Sequence, residues 1–183
     1  MAAVGFVAAL RLCPAMAQAP QIDPQAAAGR LLDALRRAPD EQEAALVEAH
    51  VEELWAQEGS PAVRLLMARG TRELKAGDDG DAREDFDAAL ALDDTLASAW
   101  YARAEARAAA GDTTGAVADL AQAVKREPRD FLAYRMLADI AAQRQDWKSA
   151  LAAWQKLLDI DPMTPGGAHR LKELTVKALG QET

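Results

Sequence analysis

Four charged side chains recur in register along this chain: Arg69 stands sixteen residues before Asp85, and Arg103 sixteen before Asp119. If each segment folds as a helical hairpin, the two charges meet at one height, and a guanidinium can give a carboxylate a two-pronged contact. Two uses of that chemistry are open, a clamp between helices or a cationic seat for an anionic ligand. Leu137 and Ala153 occupy the corresponding places further along. The charges are present together or absent together, which is the behaviour of a pair.

Little else in the chain has the spacing of a reactive centre. His50 and His169 have no Cys or His partner at metal-ligand spacing. Asp78, Asp79 and Asp81, like Asp93 and Asp94, have the composition of a calcium loop without its spacing or closing glutamate, and read as turns and helix N-caps. Glycine patterns for phosphate or dinucleotide binding and a nucleophile elbow do not occur. Cys13 is the one cysteine. The expectation is a noncatalytic protein with no cofactor and no metal.

The elements that position the charges come from self-similarity. Three blocks align without a gap at 34 residues: 63–96, 97–130 and 131–164. The fourth place of each holds a large residue (Leu66, Trp100, Tyr134) and the eighth a small one (Gly70, Ala104, Ala138). Alanine fills the twentieth (Ala82, Ala116, Ala150), and a bulky apolar residue the twenty-fourth (Phe86, Leu120, Trp154). Gly or Asp turn signals lie midway in each block, so each predicts two antiparallel helices. The small residues let the helix axes approach while the large ones fill the space beside them. Pro128 and Pro162 stop the second helices of their blocks; the first block has Asp94 there, a weaker stop.

This pattern resembles the tetratricopeptide repeat (TPR) family, and in particular small exported bacterial TPR proteins. The resemblance implies an all-α, right-handed superhelical solenoid of antiparallel helix pairs, capped by helices at both ends. It also implies a concave groove, lined by the first helices, that holds a peptide or helix of another protein. Carried over by position, the groove residues are Arg64, Met67 and Thr71, then Tyr101 and Glu105, then Arg135 and Asp139. TPRs that clamp the carboxylate terminus of heat-shock chaperones use Asn and Lys at such places, and this chain has neither, so that ligand class is not expected. Trp100, Trp154 and Phe86 are expected in the core, with Arg69, Asp85, Arg103 and Asp119 as the structural charges.

The flanks read as follows. Residues 18–62 hold a linker and a helical pair, with Asp23-Pro24 opening one helix and Asp40 with Glu43 opening the next, expected as a degenerate repeat or cap. Residues 165–183 form a terminal capping helix with Leu171, Leu174, Ala178 and Leu179 inward. Residues 1–17 read as a secretory signal peptide, with Ala15-Met16-Ala17 as its cleavage site, which would make the protein periplasmic. Loss of Cys13 with the leader would leave no thiol for disulfide chemistry. A net charge of −8 disfavours nucleic acid and anionic lipid surfaces as partners, and no segment after the leader is long and apolar enough to insert in a membrane. The expected function is a protein-interaction adaptor working through its groove; the alternative is an accessory scaffold subunit of an envelope enzyme or secretion complex using its convex or end surfaces.

Overall fold

A computed structural model of the chain describes residues 23–180, so the leader and its cleavage site lie outside the described residues. Among these, all regular structure is helical: α1 Pro24–Leu35, α2 Glu41–Trp55, α3 Pro61–Ala76, α4 Asp79–Leu92, α5 Ala97–Ala109, α6 Thr113–Arg126, α7 Phe131–Gln143, α8 Trp147–Ile160 and α9 Gly167–Leu179. Short polar side chains open most of them. Asp40, Asp112, Asp130 and Asp146 accept from the backbone N–H three residues on, and Ser60 does the same for Val63, each satisfying a donor that has no partner within its helix.

Within the three blocks the helices pair as α3 with α4, α5 with α6 and α7 with α8, and successive pairs stack through α4 on α5, α6 on α7 and α8 on α9. The first helices form one layer and the second helices the other, in a right-handed superhelical array. The turn inside each hairpin needs a left-handed residue. Gly77 and Gly111 supply it at φ 86° and 83°, whereas the third block uses Gln145 at φ 59°. All three second helices stop in the same register, at Leu92, Arg126 and Ile160. In the first block, which lacks the proline, Asp93 takes over: its carboxylate accepts from the Thr95 N–H and hydroxyl, bending the chain out of the helix.

The alanine-rich positions do the close packing. Ala82, Ala104, Ala116, Ala138 and Ala150 are fully buried, as are Phe86 and Leu120, and Trp154 is nearly so. At Gly70 a methyl group would meet the Phe86 ring at 2.7 Å, so the absence of a side chain there is what admits the aromatic ring.

Three expectations change. Trp100 is half-buried, not enclosed, because it sits at the lip of its hairpin, where its indole N–H donates to the Asp94 carbonyl and the guanidiniums of Arg103 and Arg126 flank the ring at 4.7 and 4.6 Å. Leu179 is 59% exposed, since the inward face of α9 runs Leu171, Leu174, Ala178 and the next residue turns away from it at the helix end. The α1–α2 hairpin does not extend the stack as a cap on α3; it folds back onto α7, α8 and α9 and joins the largest apolar cluster through Leu32, Leu35, Ala44 and Val51.

Candidate functional site

The charge pairs are inter-helix clamps. Arg69 on α3 gives both its Nε and Nη2 protons to Asp85 on α4, and Arg103 on α5 does so to Asp119 on α6 at 2.9 and 2.7 Å. Asp85 and Asp119 are only 3% and 2% exposed, so each carboxylate depends on its arginine. The second pair is part of a larger network, because Arg107 also reaches Asp119 at 2.9 Å and Arg103 reaches Asp87 at 2.6 Å. These guanidiniums are occupied in holding hairpins shut.

The groove residues have different fates. Arg64 is exposed and donates to the Gly59 carbonyl, while Thr71, also exposed, turns its hydroxyl back to the Met67 carbonyl. Met67 instead packs against Phe86, Ala102 and Ala106, which makes it a seam residue between α3 and α5; its long unbranched side chain follows the apolar gap left by the alanines. The Tyr101 hydroxyl donates to Glu105 at 3.1 Å. Asp139 accepts from Arg170 on α9 at 3.2 Å and ties the third repeat to the terminal helix. Arg135 donates to Glu48 on α2 and to the Thr164 hydroxyl, with its guanidinium 5.7 Å from the Phe131 ring centroid.

That last contact shows where α2 lies. At its start, Glu41 accepts from the Gly166 N–H at 3.3 Å in the α8–α9 loop. Glu48 sits over Arg135, and at the far end Trp55 stacks on Phe131 with ring centroids 5.5 Å apart. Beyond it, Gly59 lies against Leu96 at the mouth of α5. Helix α2 therefore crosses the first helices from the α9 end toward α3, against the order in which the repeats stack. It lies over Phe131 and Arg135 at the start of α7. Arg129, in the α6–α7 turn, fastens α1 as well, through Asp33 at 2.9 Å.

The electrostatics of the filled groove are mixed. Burial raises the Tyr101 phenol above its ordinary range, with Glu105 adding to the effect; burial also raises Glu105, partly offset by the Tyr101 hydroxyl and reinforced by Glu52. Burial raises Glu52 too, with Glu48 adding and Arg135 opposing. Asp161, beside Glu48, is raised to about 7 by burial and by that neighbouring acid, and its Oδ2 is buried without a donor. Two carboxylates placed together satisfy each other only when they share a proton. So α2 is held by Arg135, Phe131 and its buried Ala44 and Val51, and meets acids on the array at Asp161 and Glu105.

The sequence placed Arg135 and Tyr101 on the first helices but did not show that Glu48 and Trp55 of α2 meet Arg135 and Phe131. The signal available for Glu48 and Trp55 was the face they share: Ala44, Glu48, Val51 and Trp55 lie on one side of α2, with a glutamate where an apolar residue belongs. A charged residue inside an apolar stripe points to a partner charge. It does not say which one.

The tetratricopeptide repeat model matches residues 67–119 and again 101–165, together more than half of the chain. The chain belongs to the tetratricopeptide repeat family. A TPR repeat-containing protein of Rhizobium etli is 26% identical over 154 residues, which is 84% of this chain and 76% of that protein. Among solved TPR structures, the first TPR of Spaghetti (RPAP3) bound to an HSP90 peptide superposes with a TM-score of 0.60 at 18% identity, covering 64% of this chain and 94% of that one. The Yersinia enterocolitica type III secretion chaperone SycD, in complex with a peptide of the translocator YopD, gives 0.60 at 15% identity, covering 65% and 96%. MamA matches over 87% of this chain and 92% of its own, with a TM-score of 0.53 at 21% identity. At these identities the likeness concerns the fold, a TPR array of three repeats with flanking helices.

Proposed function

We propose that this TPR protein is a noncatalytic adaptor of the periplasm that binds a segment of a partner protein in its concave groove. The observation that carries the reading is the seat of α2: a helix fits against α7, with an aromatic ring on Phe131 and a carboxylate on Arg135. Two solved relatives of the fold hold peptides, an HSP90 peptide in one and a YopD peptide in the other, in keeping with this use of the array. Export rests on the leader-like residues 1–17 and the Ala15-Met16-Ala17 site. The reading is tested by affinity capture from intact periplasm with wild-type protein and the Tyr101→Ala, Arg135→Ala double variant, with helicity checked by circular dichroism. A partner lost by the double variant supports groove binding. Native protein that retains Met1 and stays in the cytosol defeats the periplasmic assignment.

A second reading has its own observation. Val176 and Leu179 on α9 are 65% and 59% exposed, which leaves aliphatic surface at the end of the array. An accessory scaffold subunit would use such a surface, and capture that is unchanged in the groove double variant but lost on Val176→Glu with Leu179→Glu selects it.

A further inference from the structure

The α1–α2 hairpin differs from the rest of the chain in how it is held. Backbones of the array helices approach one another closely at every successive pair, whereas α1 and α2 meet the array through side chains, in an apolar cluster shared with α7, α8 and α9. Its polar and aromatic anchors are Trp55 on Phe131, Glu48 on Arg135 and Thr164, Glu41 on the Gly166 N–H, and Arg129 on Asp33 and the Gly29 carbonyl, beside the buried Leu32, Leu35, Ala44 and Val51. The hairpin is joined to α3 through a connector, residues 56–60, in which Gly59 takes a left-handed φ of 80°. Two of the approaches bring acid groups together, Glu48 toward Asp161 and Glu52 toward Glu105. An occupant optimised only to stay would not carry both.

We propose that this hairpin is a built-in, displaceable occupant of the groove, and that the partner which displaces it is an amphipathic helix repeating the contact face of α2. That face presents a small residue, a glutamate, an aliphatic residue and an aromatic one, as Ala44, Glu48, Val51 and Trp55 do, with a neutral or basic residue where α2 has Glu52. The glutamate takes Arg135, the aromatic ring takes Phe131, and the change at the Glu52 position removes its electrostatic repulsion with Glu105. The inference rests on the groove-binding reading and adds to it a gate and a ligand chemistry. A tethered helix acts at an effective concentration of roughly millimolar. The apparent affinity of a free helix is reduced by the fraction of time the groove is open.

The test uses the full chain and a labelled synthetic peptide of residues 40–58 carrying Glu52→Gln. Peptide binding is measured on wild type, on Trp55→Ala, which loosens the hairpin without altering the groove wall, and on Trp55→Ala with Arg135→Ala. Binding at least tenfold tighter to Trp55→Ala than to wild type, and weakened at least fivefold by the added Arg135→Ala, is the expected result. Equal affinity for wild type and Trp55→Ala overturns displacement while leaving groove binding standing. No binding to a Trp55→Ala protein of normal helicity overturns the ligand chemistry, and the periplasmic capture experiment then judges the groove reading separately. Hydrogen exchange of the wild type keeps the proposal testable if the variants fold poorly: α1 and α2 amides should open together, well before those of α5 to α8. Protection of α2 equal to that of α7 overturns the gate.

Discussion

Trp55, the last residue of α2, stacks on Phe131, the first residue of α7, with their rings inclined by 27°. Phe131 is fully buried, and an indole from outside the repeat array covers one face of its ring. The energetic consequence falls on both partners. Trp55→Ala removes a half-buried aromatic and its stacking, so a loss of about 2–3 kcal/mol is expected, below the roughly 3–5 kcal/mol of a fully enclosed aromatic. Urea unfolding with far-ultraviolet circular dichroism measures it, and a wild-type midpoint would mean the stack contributes nothing.

The two arginine clamps should not respond alike. Asp119 retains Arg107 when Arg103 is lost, while Asp85 is paired with Arg69. Arg69→Leu therefore strands a buried carboxylate and should cost on the order of 2–3 kcal/mol, more than Arg103→Leu. Adding Asp85→Ala to Arg69→Leu recreates the Leu and Ala of the third block and should recover much of the loss. Additive effects of the two changes in a double-mutant cycle count against the clamp.

Gly70 and Phe86 make a similar paired test in apolar form. A methyl at residue 70 would meet Phe86 at 2.7 Å and the Ala82 carbonyl oxygen at 3.1 Å. Gly70→Ala should destabilise by about 1–3 kcal/mol through overpacking, despite the gain of about 1 kcal/mol in helix propensity. The second repeat holds Ala104 and Leu120 at these places, both fully buried. Phe86→Leu in the Gly70→Ala background should then restore stability toward wild type. If thermal melts show the double variant worse than either single one, the two residues are not matched in size as the structure implies.

How much of this was legible without a structure depended on the kind of signal. Small residues at the eighth and twentieth places of each block, and the Arg–Asp spacing, are periodic, so they report packing that repeats; the hairpins and their clamps follow from them. The seat of α2 is not periodic. Asp40 and Glu43 specify where that helix starts and Val47 and Val51 that it has an apolar face, but nothing local specifies which surface covers that face. Its anchors, Glu48 to Arg135 and Asp33 to Arg129, join residues 87 and 96 positions apart and occur once each. Trp100 misled for a related reason. Its repeat position is a core position, yet Arg126 and Arg103 cover the ring where a bulkier neighbour would have enclosed it.

Acid groups along the hairpin seam give the fold a pH dependence of definite sign. Asp161, raised from 3.8 to about 7 by burial and by Glu48, lies beneath α2, where Arg135 and the Thr164 hydroxyl also face the pair. Glu58, raised from 4.5 to about 7 by burial, with Glu127, Asp23 and Asp93 adding, lies in the connector to α3; Arg64 and Arg126 line the same cleft. For an acid whose folded value exceeds its unfolded one, the folded state binds more protons, so stability falls as pH rises between the two values. Docking of the hairpin should be firm near pH 5, weaken as pH climbs through about 7, and level off above 8. The urea midpoint and the protection of α2 amides, corrected for intrinsic exchange rates, should both be higher at pH 5 than at pH 8. Glu48→Gln removes the charge that opposes ionisation of Asp161, so it should flatten the part of this dependence that comes from α2. A dependence of unchanged size in Glu48→Gln would place its origin at Glu58 or at Asp130, the N-cap of α7 that burial also raises to about 7, and away from the α2 seat.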